Sequence, residues 1–267
     1  EIYTLSLHDA LPILVDDPQQ ERQDHQLDPP DPNTQPHERG RRTVTRNQEA
    51  VLVVVGDRFE GITHHTCART LAQVVRMAQS DPECIPDTLI LGQGIRGSDL
   101  LSLDAALNEN HRRPLPKANF SRTQITSKKA SHKRHSQNAL ISNPIKTGTY
   151  TTRADLTIDN DNELLLDHQT GLHVQGMIAI EASRQMFLVS TTILHLIDDI
   201  EEPYFVIHEI STKFQSFLFP LPATLTFVTD EPGRFRADSV EFKAVIEILQ
   251  NEVTASRTVN QDRKSVV

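Results

Sequence analysis

Residues 176–197, GMIAIEASRQMFLVSTTILHLI, decide the fold of this chain. Their apolar side chains recur around most of the circumference of a helix, whereas a surface helix would carry a single apolar stripe. The charged pair Glu181 and Arg184, together with Gln185, stands at positions three and four residues apart and therefore shares one helical face. The pattern predicts a helix that is buried on most sides and carries one polar face.

Strand-like runs lie on both sides of this helix. Three precede it, at 139–142, 148–158 and 164–166. Four follow it, separated by Pro, Gly or Asn turns, at 204–218, 223–228, 239–249 and 253–259. Strands, then one buried helix, then several hairpins predict an α+β hotdog fold, in which an antiparallel sheet wraps around a central helix.

A different pattern precedes these strands. Residues 50–56 and 88–91 are continuous apolar runs, which are typical of buried parallel strands, and residues 63–80 and 99–110 have helical spacing. We therefore expect a small βαβα segment over residues 50–112, with too few strands for an independent doubly wound sheet. A linker containing two prolines is expected over 113–130, and the hotdog domain over 131–261.

One motif in the N-terminal segment superficially fits dinucleotide binding. Residues 92–97, GQGIRG, match G-x-G-x-x-G between a strand and a helix. The motif follows the second strand of the segment, however, and no third strand ending in an acidic residue appears about twenty positions later. We interpret the motif as a tight turn between strand and helix.

Composition narrows the class of protein. Lys and Arg number 27 against 36 Asp and Glu, a formal net charge of −9, which argues against broad nucleic-acid binding. No apolar run approaches ~18 residues and no basic-then-apolar leader opens the chain, so we expect a cytoplasmic protein without membrane contact. Cys67 and Cys84 cannot make a disulfide framework or a four-ligand zinc site, and no metal or other cofactor is expected.

The two ends of the chain resemble translated sequencing adapters. Residues 1–13, EIYTLSLHDALPI, and residues 262–267, DRKSVV, back-translate to DNA that resembles the adapters of short-read platforms. We therefore treat 1–13 and 262–267 as adapter-derived, and expect the natural insert to be a fragment. Residues 14–49 are rich in Gln, Asp and Pro without an apolar period, which predicts a disordered lead.

The residues around the start of the buried helix resemble the A-factor biosynthesis (AfsA-type) hotdog family. Residues 167–177, DHQTGLHVQGM, and the helical EASRQ at 181–185 resemble the family pattern D-H-x-x-x-x-H-V-x-G-M followed by E-A-x-R-Q. Residues 131–133 and 138–142 resemble its earlier H-K and N-V-L-I-S motif, with Ala139 for the usual valine, and 214–227 resemble its later strand-turn-strand. The resemblance covers residues 131–259. It implies transfer of a β-ketoacyl group from acyl carrier protein to dihydroxyacetone phosphate, which begins γ-butyrolactone signal synthesis without a cofactor.

The side chains in this segment suit acyl-thioester chemistry. Gly176 and Met177 at the helix start leave backbone N–H groups and the helix dipole available for an oxyanion. By resemblance, Glu181 would orient or deprotonate the acceptor hydroxyl, Arg184 would hold phosphate or oxyanion, and Gln185 would position the substrate. His168 and His173 precede the helix, where an acid or base could reach the same carbonyl. The alternatives are a buried ion pair that fixes the helix and histidines that make local hydrogen bonds.

Partners and competing functions follow from the same residues. A basic concentration consists of Arg122, Lys128, Lys129, Lys133 and Arg134, which indicates either a solvated linker or a docking site for the acidic acyl carrier protein. A single sheet exposes edges, so a homodimer is expected.

The alternative enzyme is a hotdog dehydratase or thioesterase, neither of which needs the fixed cation Arg184. The third hypothesis is a non-catalytic acyl-binding or regulatory module, with the βαβα segment as its interaction unit.

Overall fold

The computed structural model describes residues 51–86, 88–111, 131–166, 171–194, 205, 207–231, 233–236 and 239–263. The predicted lead over 14–49, the predicted linker over 113–130 and the adapter-like residues 1–13 lie outside the described residues.

The N-terminal segment contains a parallel three-stranded sheet. Its strands β1 (Val51–Val55), β2 (Ala68–Thr70) and β3 (Thr88–Leu91) pair in the order β2-β1-β3, and helices α1 (Leu71–Ser80) and α2 (Gly97–His111) accompany them. The two predicted strands and the second predicted helix are confirmed.

The helix predicted over 63–80 is too long. Thr70 ends β2 and caps α1 through a reciprocal pair of hydrogen bonds with Gln73, so the helix begins only at Leu71. The preceding residues form β2 and a 3₁₀ helix, Asp57–His64.

Both faces of this small sheet are buried, which explains why β1 is apolar throughout. Leu52 and Val54 pack into a cluster with the two helices. Val53 and Val55 point the other way and share a cluster with the core of residues 131–261. The three-stranded sheet is therefore sandwiched between its own helices and the hotdog unit.

The C-terminal part is an antiparallel sheet packed around one buried helix, α3 (Gly176–Ile193). The strands pair in the order β4-β5-β7-β9-β10-β6, and β8 pairs with β9. Their bounds are β4 (Ile141–Gly148), β5 (Thr151–Leu156), β6 (Ile207–Phe214), β7 (Thr224–Thr229), β8 (Gly233–Arg236), β9 (Ser239–Gln250) and β10 (Val253–Arg263). Helix α3 contributes Ile178, Ala182, Met186 and Phe187 to the core. The predicted α+β hotdog fold is confirmed.

The structure differs from the local predictions at two places. Residues 164–166 are not a strand: Glu163–Leu165 is a 3₁₀ helix, because the Asn162 side chain accepts a hydrogen bond from the backbone N–H of Leu164 and caps the turn. Strand β8 was not predicted. Helix α3 ends at Ile193, and residues 195–197 of the predicted helix lie outside the described residues.

Strand β10 contains a register shift that decides which of its residues face the helix. The shift lies between Thr254 and Ser256. It turns Ser256, Thr258 and Asn260 toward the core, where all three are buried. Each stands opposite a core-facing residue of β9. The inner face of the sheet therefore ends in a row of polar side chains, whereas the other inner strands are largely apolar.

Deletion of residues 262–267 should leave the fold intact. A second register shift separates Asp262 from the regular pairing of β10 with β6, which ends at Gln261. Of this segment the structure describes Asp262 and Arg263, which end β10 opposite Phe242 and Glu241 of β9. Because few paired residues are removed, we expect the melting temperature of the shortened chain to stay within a few degrees of that of the full chain. Calorimetry checks this, and a larger fall would mean that these residues bury substantial surface.

No helix among the described residues has the length and apolarity needed to cross a membrane.

Candidate functional site

Glu181, in the second turn of α3, lies at the centre of a cluster of charged side chains. Its carboxylate pairs with Lys133 Nζ at 2.6 Å and Arg184 Nε at 2.8 Å, and Arg184 Nη2 donates a further bond at 2.9 Å. Only 17% of the Glu181 side chain is exposed. The i, i+3 spacing predicted the pair with Arg184, whereas Lys133 joins it through the tertiary fold.

These contacts fix the charge of Glu181. Burial alone would raise the pKa of its carboxyl group, but hydrogen bonds from Arg184, Lys133 and Gln185 outweigh burial and lower that pKa to about 2. Glu181 is therefore ionised at neutral pH and is a weak base. Its geometry suits holding the two cations in place better than removing a proton.

Gln185 ties α3 to the chain that leads into β4. Its Nε2 donates to the Asn138 carbonyl and to Glu181 Oε1, both at 2.9 Å, and its Oε1 accepts from the backbone N–H of Leu140 at 2.8 Å. The side chain is fully buried. Its predicted role in positioning substrate would therefore have to act through Glu181.

His132 joins this cluster although the sequence did not single it out as a site residue. Although His132 is exposed as a residue, partial desolvation of its ring and the positive charge of Arg184 lower the pKa of its imidazole, which favours the neutral ring. It packs edge-on against Phe205 at 5.7 Å, and its backbone has a φ of 52°. The sequence feature that could have identified His132 is its position directly before Lys133.

A separate cavity of about 610 Å³ opens at the start of α3. Its lining is mainly apolar: Val174, Gly176, Ala179, Phe214, Phe217, Leu218 and Ala255, with His173, Gln215, Ser216 and Ser256 as polar members. His173 meets Phe217 edge-on at 5.5 Å. A Cβ on Gly176 would come within 2.8 Å of the Phe214 ring, so the glycine allows that ring to lie against the helix start.

The structure divides the predicted site residues between two cavities. His173 and Gly176 line the larger one. Met177 and Glu181 line a smaller cavity of about 190 Å³, together with Lys133 and Ile180. Because Gly176 and Met177 are consecutive, both cavities meet the first turn of α3.

The structure describes only some of the remaining predicted site residues, which are His168 and the basic residues of the predicted docking stretch. His168, Lys128 and Lys129 lie outside the described residues. Arg134 is exposed, as a docking residue must be. Lys133 is partly buried and forms an ion pair with Glu181, so it is less suited than Arg134 to bind a partner protein.

The turn at Gly92-Gln93-Gly94 joins the two parts of the chain. Its three backbone N–H groups donate in order to the carbonyls of Val54, Pro220 and Ile158, at 2.7–2.8 Å. A Cβ on Gly92 would lie 2.3 Å from the Pro220 carbonyl oxygen, and Gly94 has a φ of 80°. These N–H groups are therefore unavailable to a phosphate, and the interpretation as a tight turn is confirmed.

Among the described residues, no group of three His, Cys, Asp or Glu side chains stands close enough to hold a metal ion.

An antiparallel sheet around a buried helix, with a cavity at the helix start, defines a hotdog protein. The family model described as the A-factor biosynthesis hotdog domain matches residues 116–261, more than half of the chain. The chain belongs to this family.

Solved structures of low identity are similar to part of the chain. A mutant thioesterase from Pseudomonas aeruginosa is 12% identical, with 55% of this chain and 99% of that chain covered and a TM-score of 0.40. A thioesterase from Haemophilus influenzae is also 12% identical, with 54% and 93% covered and a TM-score of 0.37. AziG from S. sahachiroi is 13% identical, with 47% and 91% covered and a TM-score of 0.35. No curated protein matches the sequence.

Proposed function

We propose that this chain transfers a β-ketoacyl group from an acyl carrier protein thioester to the hydroxyl group of dihydroxyacetone phosphate. The reaction would begin γ-butyrolactone synthesis and needs no cofactor. The observation that carries the proposal is the mainly apolar cavity at the start of α3, next to Gly176. An acyl chain suits its walls, and a thioester carbonyl would then lie at the helix start.

The first turn of α3 suits the developing oxyanion. The N-cap residue Gln175 makes no side-chain hydrogen bond to the helix, and its amide donates instead to the Leu164 carbonyl. Backbone N–H groups at the start of a helix lack helical partners, and the dipole favours negative charge there. The acceptor oxygen would bond to the carbonyl carbon, and the thiol would leave as the tetrahedral intermediate collapses.

The smaller cavity suits the phosphate-bearing acceptor. Lys133 and Glu181 line it, and Arg184 is held beside them by two hydrogen bonds to Glu181. Among the described residues, no hydrogen bond uses Arg184 Nη1, so this nitrogen can donate to an anion. The low pKa of Glu181 supports a role in holding the cations, and we then propose His173 as the base on the acyl side.

The test is an incubation of the purified chain with β-ketoacyl carrier protein, with and without dihydroxyacetone phosphate. Free thiol is measured over time, and the acyl ester is identified by mass spectrometry. Thiol release that depends on the acceptor supports transfer. Release that is independent of the acceptor would identify a thioesterase. A parallel incubation with 3-hydroxyacyl carrier protein tests the dehydratase alternative, because loss of water from that chain without thiol release would identify a dehydratase.

A non-catalytic acyl-binding module is the second candidate. The observation that favours it is the saturation of Glu181 by three donors, which is also what a purely structural ion cluster requires. Acyl binding without thiol release under either condition would support this candidate.

Reversing the basic charges of the predicted docking stretch should weaken delivery by the carrier protein. We expect Lys128→Glu, Lys129→Glu and Arg134→Glu together to lower turnover of the carrier-linked substrate several-fold at low salt, while a small pantetheine thioester is turned over normally. Lys133 is left unchanged because it pairs with Glu181. Arg134→Glu alone is compared with Lys146→Glu, an exposed lysine on β4, which is the charge-matched control for a single reversal. Equal losses on both substrates would exclude a docking role.

We also propose that the chain forms a homodimer. Strand β6 is at the edge of the sheet, and Ile210 and Phe214 on it are 40% and 56% exposed. Sedimentation at micromolar concentration should give a dimer, and a monomer alone would reject the proposal.

A further inference from the structure

Ser256 is a buried polar group without a partner, and it lines the larger cavity. Its side chain is 2% exposed, and its Oγ makes no hydrogen bond. Buried hydroxyl groups in folded proteins are nearly always hydrogen-bonded, and an unpartnered one costs stability. The orphaned Ser256 hydroxyl therefore marks a place where a ligand atom can complete the site.

The next inward-facing residues along β10 show that an unpaired hydroxyl is not general on this face of the strand. Thr258 faces the same way, but its hydroxyl bonds to Thr212 at 3.0 Å. Asn260 follows on the same face, is fully buried, and has neither amide atom hydrogen-bonded. The bonded Thr258 thus lies between two unbonded side chains, of which Ser256 is the one on the cavity wall.

The rest of that wall limits the ligand that Ser256 can meet. Gly176 and Ala179 of α3 lie on the cavity with Ser256, and the aromatic rings of Phe214 and Phe217 complete its apolar surface. Phe214 is the register partner of Ser256 and also contacts the helix start at Gly176. The serine is therefore close to where the thioester carbonyl would be held.

We propose that Ser256 is a specificity-determining residue, whose hydroxyl binds an oxygen atom on the acyl chain near the thioester. This inference rests on the proposed function for its choice of ligand class. The cavity would prefer an acyl group with an oxo or hydroxyl group at the third carbon over a saturated chain of equal length. A saturated chain leaves the Ser256 hydroxyl buried and unpaired, whereas an oxygen on the third carbon of the acyl group pairs with it.

Binding of two inert pantetheine amides, hexanoyl and 3-oxohexanoyl, tests the inference apart from catalysis. Calorimetry on the full chain should give a Kd about 5–10-fold lower for the 3-oxo compound, the size of one hydrogen bond. In Ser256→Ala we expect the two Kd values to converge while the melting temperature stays unchanged or rises, since the lost hydroxyl had no partner. Thr258→Val is the matched control, because it removes a buried hydroxyl from the same face and should keep the preference.

Three results would overturn the inference: equal Kd values in the unaltered chain, a preference that survives in Ser256→Ala, or no binding of either amide. The acyl-transfer assay remains separate. Selective binding that depends on Ser256, together with no transfer, would keep the specificity role and reject the proposed reaction.

Discussion

Replacing Gln93 with alanine should destabilise the whole chain by about 3–6 kcal/mol, estimated from the cost of leaving several buried groups unpaired. The Gln93 amide donates to the carbonyls of Leu156 and Leu221, both at 3.1 Å, and accepts from the Ile158 backbone N–H at 2.9 Å. The residue is fully buried between the N-terminal sheet and the hotdog unit. Its removal leaves three backbone groups without their hydrogen-bond partners.

Because the two parts of the chain share one core, this loss should appear as one transition at lower temperature. Differential scanning calorimetry measures it. Gln73→Ala is the matched control, since Gln73 caps α1 through the backbone of Thr70 and lies within the N-terminal segment alone. Its loss should cost about 0.5–2 kcal/mol. Two separate transitions, of which Gln93→Ala shifts only the first, would show that the two parts unfold independently.

The elements that sequence predicts well here are those whose pattern is local. Helix α3 is apolar around most of its circumference and β1 is continuously apolar, so burial on several sides follows from composition and period alone. What the sequence could not supply was the identity of the surface that covers the second face of β1. The residues that cover this face lie about a hundred positions later in the chain. Hydrogen bonds from Gln93 to Leu156 and Ile158 join the two parts there.

The inner face of β10 was beyond prediction for a different reason. In 253–259 the residues Val253, Ala255 and Val259 would face inward if the strand alternated without interruption. One register shift at Ala255, which stays buried, reverses the alternation beyond it and places Ser256 inside, while Val253 is 40% exposed. Nothing in local hydrophobicity marks the position of the shift, so the polar wall of the cavity was missed.

The candidate site was predictable in composition but not in arrangement. Helical spacing grouped Glu181, Arg184 and Gln185, and the structure brings all three together. Which cavity Gly176 and Met177 would each line could not be predicted from their spacing to these residues. The 100° between successive helical positions separates them into different cavities, with His173 beside Gly176 and Glu181 beside Met177.

Replacing Glu181 by glutamine or Arg184 by methionine should lower acyl transfer by about 10²–10⁴-fold if the pair serves the reaction. The two hydrogen bonds between them hold the guanidinium of Arg184 in a fixed orientation. Glutamine is close to glutamate in size but carries no charge, and it would leave Arg184 and Lys133 without their counter-ion. Initial rates with saturating acceptor, compared with rates at limiting acceptor, separate loss of phosphate binding from loss of chemistry.

The ion pair between Glu181 and Arg184 should also make the free energy of unfolding depend on pH. Because the folded pKa of Glu181 is about 2, below its ordinary value of 4.5, ionised Glu181 stabilises the folded state above pH 4.5. That contribution is lost as the pH falls from 4.5 through 2. The stability difference between the unaltered chain and Glu181→Gln should therefore be constant near neutral pH and shrink in acid, as measured by urea unfolding. A difference that stays constant down to pH 2 would mean that the carboxylate is not held by its cationic neighbours.

The double variant Glu181→Gln with Arg184→Met distinguishes catalysis from structure. If the residues only stabilise the helix, each single change strands a partly buried charge and costs at most about 3–5 kcal/mol, and the double change restores much of that loss because no charge of the pair remains. Lys133 keeps its charge in every variant, so Lys133→Met on the double background completes the removal of the cluster. If the residues serve the reaction, regained stability brings no regained activity, since neither the fixed cation nor its holder is present. A double variant that is both stable and fully active would end the assignment of the transfer site to this helix face, and would direct attention to His173 and Ser256 on the other side of the helix start.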